Sequence, residues 1–252
     1  MPKADLIFDV GCNTGEDADF YLRKGFRVVA VEANPTVCAG LRARFAEPIG
    51  DGRLVLIDKA IADQPGRVTF FDNLDDSSQG TIVPSYAYDG SKAIEVEAIA
   101  FASLLDEFGV PHYLKIDIQG ADNFCLRGLI GRAEKPKFIS IERVNSFAAQ
   151  REQFGLLRSL GYGRFQIIDQ TTLEDQIPPQ PSREGVYVSA RFTSRSTGLF
   201  GNDLPETKWT GYHRAMARNL EILARSGAMR RIPILNRFAM RGKWFDIHAA
   251  LA

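Results

Sequence analysis

Short apolar runs alternate with helix-patterned stretches through the first 190 residues, and this alternation constrains the fold more than any other feature. Residues 6–10 (LIFDV) form an apolar run ended by glycine, the mark of a buried strand. A helical stretch at 16–24 closes at Gly25. Residues 27–32 (RVVAVE) are a second buried strand, and Asn34-Pro35 opens a helix that runs to residue 45. Further strands are predicted at 54–57, 68–71, 94–99, 113–118, 137–141, 165–168 and 185–190, the last two closing the sheet. Helices are predicted at 102–108, 121–129 and 147–160. Strands separated by helices require right-handed crossovers, so the pattern predicts an α/β fold with a mostly parallel sheet and helices on both faces.

After Arg191 the pattern changes. Residues 194–202 are rich in Ser, Gly and Thr and read as a linker, and 211–225 has helical periodicity. This predicts a body at residues 1–192 and a basic, helical C-terminal extension at 193–252. The chain of 252 residues is formally neutral, but its charge is unevenly placed. From Arg191 onward 11 Lys/Arg face 4 Asp/Glu, a net +7, which leaves −7 on the first 190 residues. The extension therefore either docks on the acidic body or meets an anionic acceptor through residues such as Arg230 and Arg231. Residues 72–90 are polar and Gly/Ser/Asp-rich, a loop long enough to suggest function. Trp209 and Trp244 are predicted as body packing, a substrate lid or contacts of a homo-oligomer.

Composition excludes several classes. Apolar residues at 45% and charged residues at 25% suit a soluble globular chain. No apolar run approaches the ~18 residues of a membrane span. The three cysteines, Cys12, Cys38 and Cys125, are odd in number and lack a C-x-x-C pair, against a disulfide framework or zinc ribbon. With no secretory leader before the first strand, a cytoplasmic location is expected.

The chemistry lies in Asp9-Val10-Gly11-Cys12-Asn13-Thr14-Gly15 and in Glu32-Ala33-Asn34-Pro35. A glycine turn after the first strand of such a sheet is a cofactor position. The dinucleotide pattern G-x-G-x-x-G fails at Asn13 and Glu16, and an acid at 16 would repel a pyrophosphate at the helix start. No phosphate-binding P-loop occurs either. The turn suits a cationic ligand without phosphate, and S-adenosyl-L-methionine is one. Asp9 is placed to meet its ammonium, directly or through water. Gly11 and Gly15 keep the backbone close, and Asn13 tolerates a left-handed conformation. Glu32, at the end of the second strand, is placed to accept from both ribose hydroxyls, and Asp58, after the third, from the adenine amino group.

These segments, with DKAIAD at 58–63, LKIDIQGADNFCLRGL at 114–129 and ISIER at 139–143, resemble the FkbM-type methyltransferases. WFDIHA at 244–249 also resembles endings of some members. That family is a branch of the class I S-adenosyl-L-methionine-dependent fold. Gln119 and Asp122 stand where the family often has glutamates, and Cys12 where alanine is common. The resemblance implies a Rossmann-like, seven-stranded sheet with its last strand antiparallel. It implies methyl transfer to a hydroxyl oxygen of a sugar, glycan or polyketide-type acceptor. The implied cofactor pocket comprises Asp9, Gly11, Asn13, Gly15, Glu32, Ala33, Asn34, Asp58, Ala60 and Asp117.

Catalysis by such an enzyme needs alignment of acceptor oxygen, methyl and sulfur, with help in removing a proton. Asp117 falls near the carboxyl end of its strand and either orders the cofactor or handles the acceptor. Glu142 falls at the end of the next strand, on the acceptor side. Lys115 is a candidate for the same chemistry or pairs with Asp117, and His248 is a candidate base that folds back over the site, with Asp246 nearby. No metal is assigned, because Asp117 and Glu142 lack an evident third ligand. A nucleic-acid methyltransferase is the alternative that the basic extension suggests. Against it, Asp117-Ile118-Gln119-Gly120 replaces the N-P-P-[YF] signature of amino-group methylation. A non-catalytic cofactor-binding scaffold is the remaining alternative.

Overall fold

The structure, a computed structural model, describes residues 2–144, 146–226 and 243–251. Arg230 and Arg231 lie outside the described residues. The main sheet begins with β1 (Lys3–Val10), β2 (Arg27–Val31) and β3 (Leu54–Ile57). β7 (Pro111–Ile116) and β8 (Phe138–Glu142) extend it on the other side of β1, all in parallel. β9 (Tyr162–Asp169), β10 (Thr210–Gly211) and β11 (Phe245–Leu251) complete it in the spatial order β10-β9-β11-β8-β7-β1-β2-β3. A separate sheet pairs β6 (Lys92–Ala100) with β4 (Ala60–Ala62) in parallel and with β5 (Gly66–Asp72) in antiparallel.

Helices cover both faces of the main sheet. α4 (Phe101–Phe108), α5 (Asn123–Gly128), α6 (Phe147–Ser159) and α7 (Tyr212–Ser226) pack on one. α1 (Glu16–Arg23), α2 (Pro35–Arg44) and the short α3 (Ala46–Gly50) lie on the other. The α/β expectation holds, with eight strands rather than seven, the extra one being the two-residue β10 at the edge.

Two expectations are corrected. Residues 185–190 form no strand, for the slot between β8 and β9 belongs to β11, antiparallel to both. The division at 192 therefore does not follow the sheet. Residues 194–202 are not a free linker either. Leu199, Phe200 and Leu204 are buried beneath α1, with the Phe200 ring 4.7 Å from Tyr113 and 5.1 Å from Tyr21. The Thr197 N–H donates to the buried Asp17 carboxylate at 2.9 Å. α7 docks on the body, burying Ala215 and Ile222, and its Asn219 accepts from Arg143 Nε at 2.6 Å.

Strand alternation explains where polar side chains gather. Asp9, Lys115, Ser140, His248 and Gln166 stand opposite one another in register, one row across five strands on the α1 face. All five are buried. Two residues further toward the carboxyl ends of the parallel strands, roughly 6–7 Å along them, Glu142 faces Asp246 in a second row.

Candidate active site

A cavity of about 1060 Å³ opens at the carboxyl ends of β1, β2, β7 and β8, where an open α/β sheet holds its ligands. Its cofactor-side wall starts at the glycine turn. Gly11 has φ +78°, and a Cβ there would stand 1.8 Å from the Asp117 carbonyl oxygen. Asn13, at φ +43°, adopts the left-handed conformation expected of it. Its N–H donates to Glu32 Oε2 at 3.0 Å, and the Asn34 N–H donates to Oε1 at 2.8 Å. Burial pushes the Glu32 carboxyl above its usual range, against the pull of those N–H groups. Two donors leave about two of the four lone-pair sites of a carboxylate. Ala33 and Ala60, also on the wall, add little bulk.

The loop at 72–90 forms a wall of the cavity and is tied down at several points. Ser77 Oγ donates to Asn13 Oδ1 at 2.8 Å, and the buried Thr81 hydroxyl donates to the Gln119 carbonyl at 2.7 Å. Asn34 Nδ2 donates to Asp72 at 2.8 Å.

On the β7 and β8 side of β1 the cavity carries Asp117 and Glu142, together with Gln119 and, from β11, Asp246. Gln119 has φ +48°, a conformation that costs a non-glycine residue about 1–3 kcal/mol. Its amide Nε2 bridges Asp117 Oδ1 and Glu142 Oε2, both at 3.2 Å. Burial, then the charges of Asp117, Asp122 and Asp246, hold the Glu142 carboxyl well above the usual range. Asp122 accepts from the Ile118 and Gly120 N–H groups, and burial pushes its pKa up to about 6. Among the described residues no group of three or more His, Cys, Asp or Glu is arranged to hold a metal ion.

Several sequence candidates stand elsewhere. Asp58 turns to α2 and pairs with Arg42 at 2.7 Å on the surface, away from this cavity. Gly15 is demanded by packing, since a Cβ would stand 2.5 Å from the Phe45 ring. The Asn34 side chain caps α2 through the N–H groups of Thr36 and Val37. Asp9 is fully buried in the lower polar row and does not line the cavity. It takes Lys115 at 3.2 Å, in place of the expected Lys115–Asp117 pair, while Lys115 reaches the cavity and donates to the Gly11 carbonyl at 2.7 Å. His248 is also in the lower row and off the cavity wall. Burial lowers its pKa to about 3, and its Nε2 has no partner.

His248 therefore weakens the fold in acid. Its folded pKa lies below the ordinary ~6.5, so the unfolded chain binds the proton first and stability falls between roughly pH 6.5 and pH 3. His248→Met is expected to move the acid-unfolding midpoint to lower pH and to leave cofactor affinity unchanged. Urea melts over that pH range and calorimetry check both.

Asp246, expected only as a neighbour of His248, lines the cavity itself, and the signal for that was the strand alternation of FDIHAA at 245–250. Trp244 lines the cavity, whereas Trp209 packs near Phe138, with ring centroids 6.4 Å apart.

The FkbM methyltransferase domain matches residues 9–164, more than half of the chain. The chain belongs to the FkbM methyltransferase family. The match takes in the glycine turn, Glu32, Asp117 and Glu142, and stops before Asp246. No curated protein matches the chain. Among solved structures, an FkbM methyltransferase from Methylobacillus flagellatus is 17% identical over 67% of this chain, with a TM-score of 0.42. The chain spans 40% of that protein. A precorrin-6y C5,15-methyltransferase from Geobacter metallireducens is 10% identical, covering 100% of this chain and 82% of its own, with a TM-score of 0.42. A glycopeptide N-methyltransferase complexed with S-adenosyl-L-methionine is 15% identical, covering 100% and 83%, with a TM-score of 0.36. Among the described residues of this FkbM family chain, no helix is long and apolar enough to cross a membrane.

Proposed function

We propose that this chain uses S-adenosyl-L-methionine to methylate a hydroxyl oxygen of a small sugar, glycan or polyketide-type acceptor. The observation that carries this reading is Glu32. Its carboxylate is fixed at the end of β2 by the Asn13 and Asn34 N–H groups, beside the Gly11 turn, and it lines the same cavity as Asp117 and Glu142. The donor set fits the cofactor: a carboxylate with lone pairs left for a ribose diol, small side chains at Ala33 and Ala60, and an acidic wall for a cation. When bound, the cofactor supplies a methyl group activated by its sulfonium.

The chain's own residues then have separable tasks. Gly11, Asn13, Glu32, Ala33 and Ala60 hold the cofactor. Asp9 acts beneath the site, through the Lys115 ammonium that braces the Gly11 carbonyl. Gln119 keeps Asp117 and Glu142 at a fixed separation. Glu142, its carboxyl held well above the usual range by burial and by its acidic neighbours, takes the acceptor proton. Asp117 orients the hydroxyl. The acidic lining disfavours a nucleic acid, whose affinity comes mainly from neutralised phosphates.

The test is transfer of labelled methyl to a panel of hydroxylated acceptors. Glu32→Ala is expected to weaken S-adenosylhomocysteine binding about 10- to 100-fold, the worth of hydrogen bonds to a charged group, and to lower the melting temperature as the Asn13 and Asn34 N–H groups lose their acceptor. Unaltered affinity in a folded variant contradicts the assigned pocket.

A further inference from the structure

The acceptor side of the cavity includes three neighbouring side chains that the cofactor reading leaves unused: Gln170, Trp244 and Asp246. Gln170 follows β9 and Trp244 precedes β11, and the Gln170 N–H donates to the Trp244 carbonyl at 3.0 Å. Gln170 is 3% exposed and lines the cavity, yet its buried amide Nε2 has no hydrogen-bond partner. A buried amide donor without a partner is rare in a native fold, and here it belongs to a residue of the cavity wall.

Asp246 presents the complementary need. Among the described residues no hydrogen bond or ion pair reaches its carboxylate, and it stands opposite Glu142 in register. Of the described cations on the wall, only the Lys115 charge acts on Asp246, from beyond pairing distance, and it does not offset burial and the Asp117 charge. Lys115 is held by Asp9 and the Gly11 carbonyl, Lys59 by Glu97 at 2.9 Å, and Arg143 Nε by Asn219. Arg195, the fourth, is solvent-exposed. Burial and the nearby Asp117 charge push the Asp246 carboxyl well above its usual range, which a bound cation would relieve. Trp244, 43% exposed, adds an aromatic face, a surface that attracts a cation.

We propose that Asp246, Trp244 and Gln170 form a subsite for a protonated amine on a hydroxylated acceptor, an amino sugar or amino polyol. The proposal rests on the methyltransferase reading of the same cavity. Asp246 pairs with the ammonium, Trp244 covers it, and Gln170 donates to a hydroxyl oxygen of the same molecule. Asp117 and Glu142 keep the hydroxyl that receives the methyl. A phosphate or carboxylate on the acceptor meets like charge at this wall.

The test titrates the full chain, saturated with S-adenosylhomocysteine, with a panel of amino sugars and amino polyols. Each is paired with its N-acetylated form and its phosphate ester. At least one free amine is expected to bind about tenfold or more tightly than its acetylated partner, and the phosphate ester more weakly still. Asp246→Asn is expected to erase that preference while S-adenosylhomocysteine affinity stays near wild type. Trp244→Leu, at an exposed position, reduces the preference several-fold without risk to the fold. Gln170→Ala weakens amine and acetylated forms alike and keeps their ratio. The subsite is overturned if no amine binds, if amine and acetylated forms bind equally, or if the preference survives in folded Asp246→Asn and Trp244→Leu proteins. Failure of wild type to bind S-adenosylhomocysteine overturns the methyltransferase reading and the subsite with it, a distinct result.

Discussion

Gly11→Ala is expected to lose a large part of the stability of the fold. A left-handed backbone alone costs a non-glycine residue about 1–2 kcal/mol. Here the new methyl group would also stand 1.8 Å from the Asp117 carbonyl oxygen and 2.7 Å from its carbonyl carbon. Neither atom yields easily. The Asp117 N–H is bound to the Val10 carbonyl at 2.9 Å, and the Gly11 carbonyl holds Lys115. The two strands would have to separate at the cavity, for a total of about 4 kcal/mol or more, against the 5–15 kcal/mol typical of a whole domain. Gly25→Ala is the matched control, with φ +89° and nothing within 4 Å of an added Cβ. Soluble yield and urea melts should separate the two variants clearly, and equal losses would contradict the close approach at Gly11.

Lys115→Met is expected to cost about 3–5 kcal/mol, because it strands the Asp9 carboxylate without its cation in the sheet interior. Asp9 is fully buried, and no hydrogen bond reaches either of its oxygens. Adding Asp9→Asn should recover much of the loss, and a double-mutant cycle measures the coupling. The pH dependence has a definite sign. Burial already raises the Asp9 pKa, and removing Lys115 raises it further. A carboxyl with a raised folded pKa favours the folded state when protonated. The variant should therefore gain stability relative to wild type as pH falls from neutrality toward the ordinary carboxylate range. A flat difference across that range counts against the buried pair.

Local signals were legible in the sequence, and pairings over long distances were not. The turn at 11–15, the helix start at Asn34-Pro35 and the position of Glu32 all depend on neighbours within a few residues. Asn13 adopts the left-handed conformation its residue type permits. The closing strand was hidden because FDIHAAL lies in a stretch dominated by basic and aromatic residues. Its partners, Phe138–Glu142 and Tyr162–Asp169, are remote in the chain. GVYVSA at 185–190 has strand-like composition, but Val186 and Tyr187 stay exposed. Burial depth was equally invisible. Asp9 and His248 share a sheet face with residues of the cavity wall and miss the cavity by one row. Asp58 was drawn off by Arg42, a partner that spacing along one strand does not reveal.

The position of β11 sets an order of assembly. Asp246 and Glu142 are neighbours across strands that lie roughly a hundred residues apart, a costly closure that makes such pairings late in folding. As the chain emerges from the ribosome, β8 and β9 are made well before the strand that must lie between them. Until residues 245–251 appear, both expose unpaired backbone edges, the sort that seek foreign strands. The same late segment brings Trp244 and Asp246 to the cavity. A chain interrupted before it would therefore lack both its central sheet pairing and part of the cavity wall.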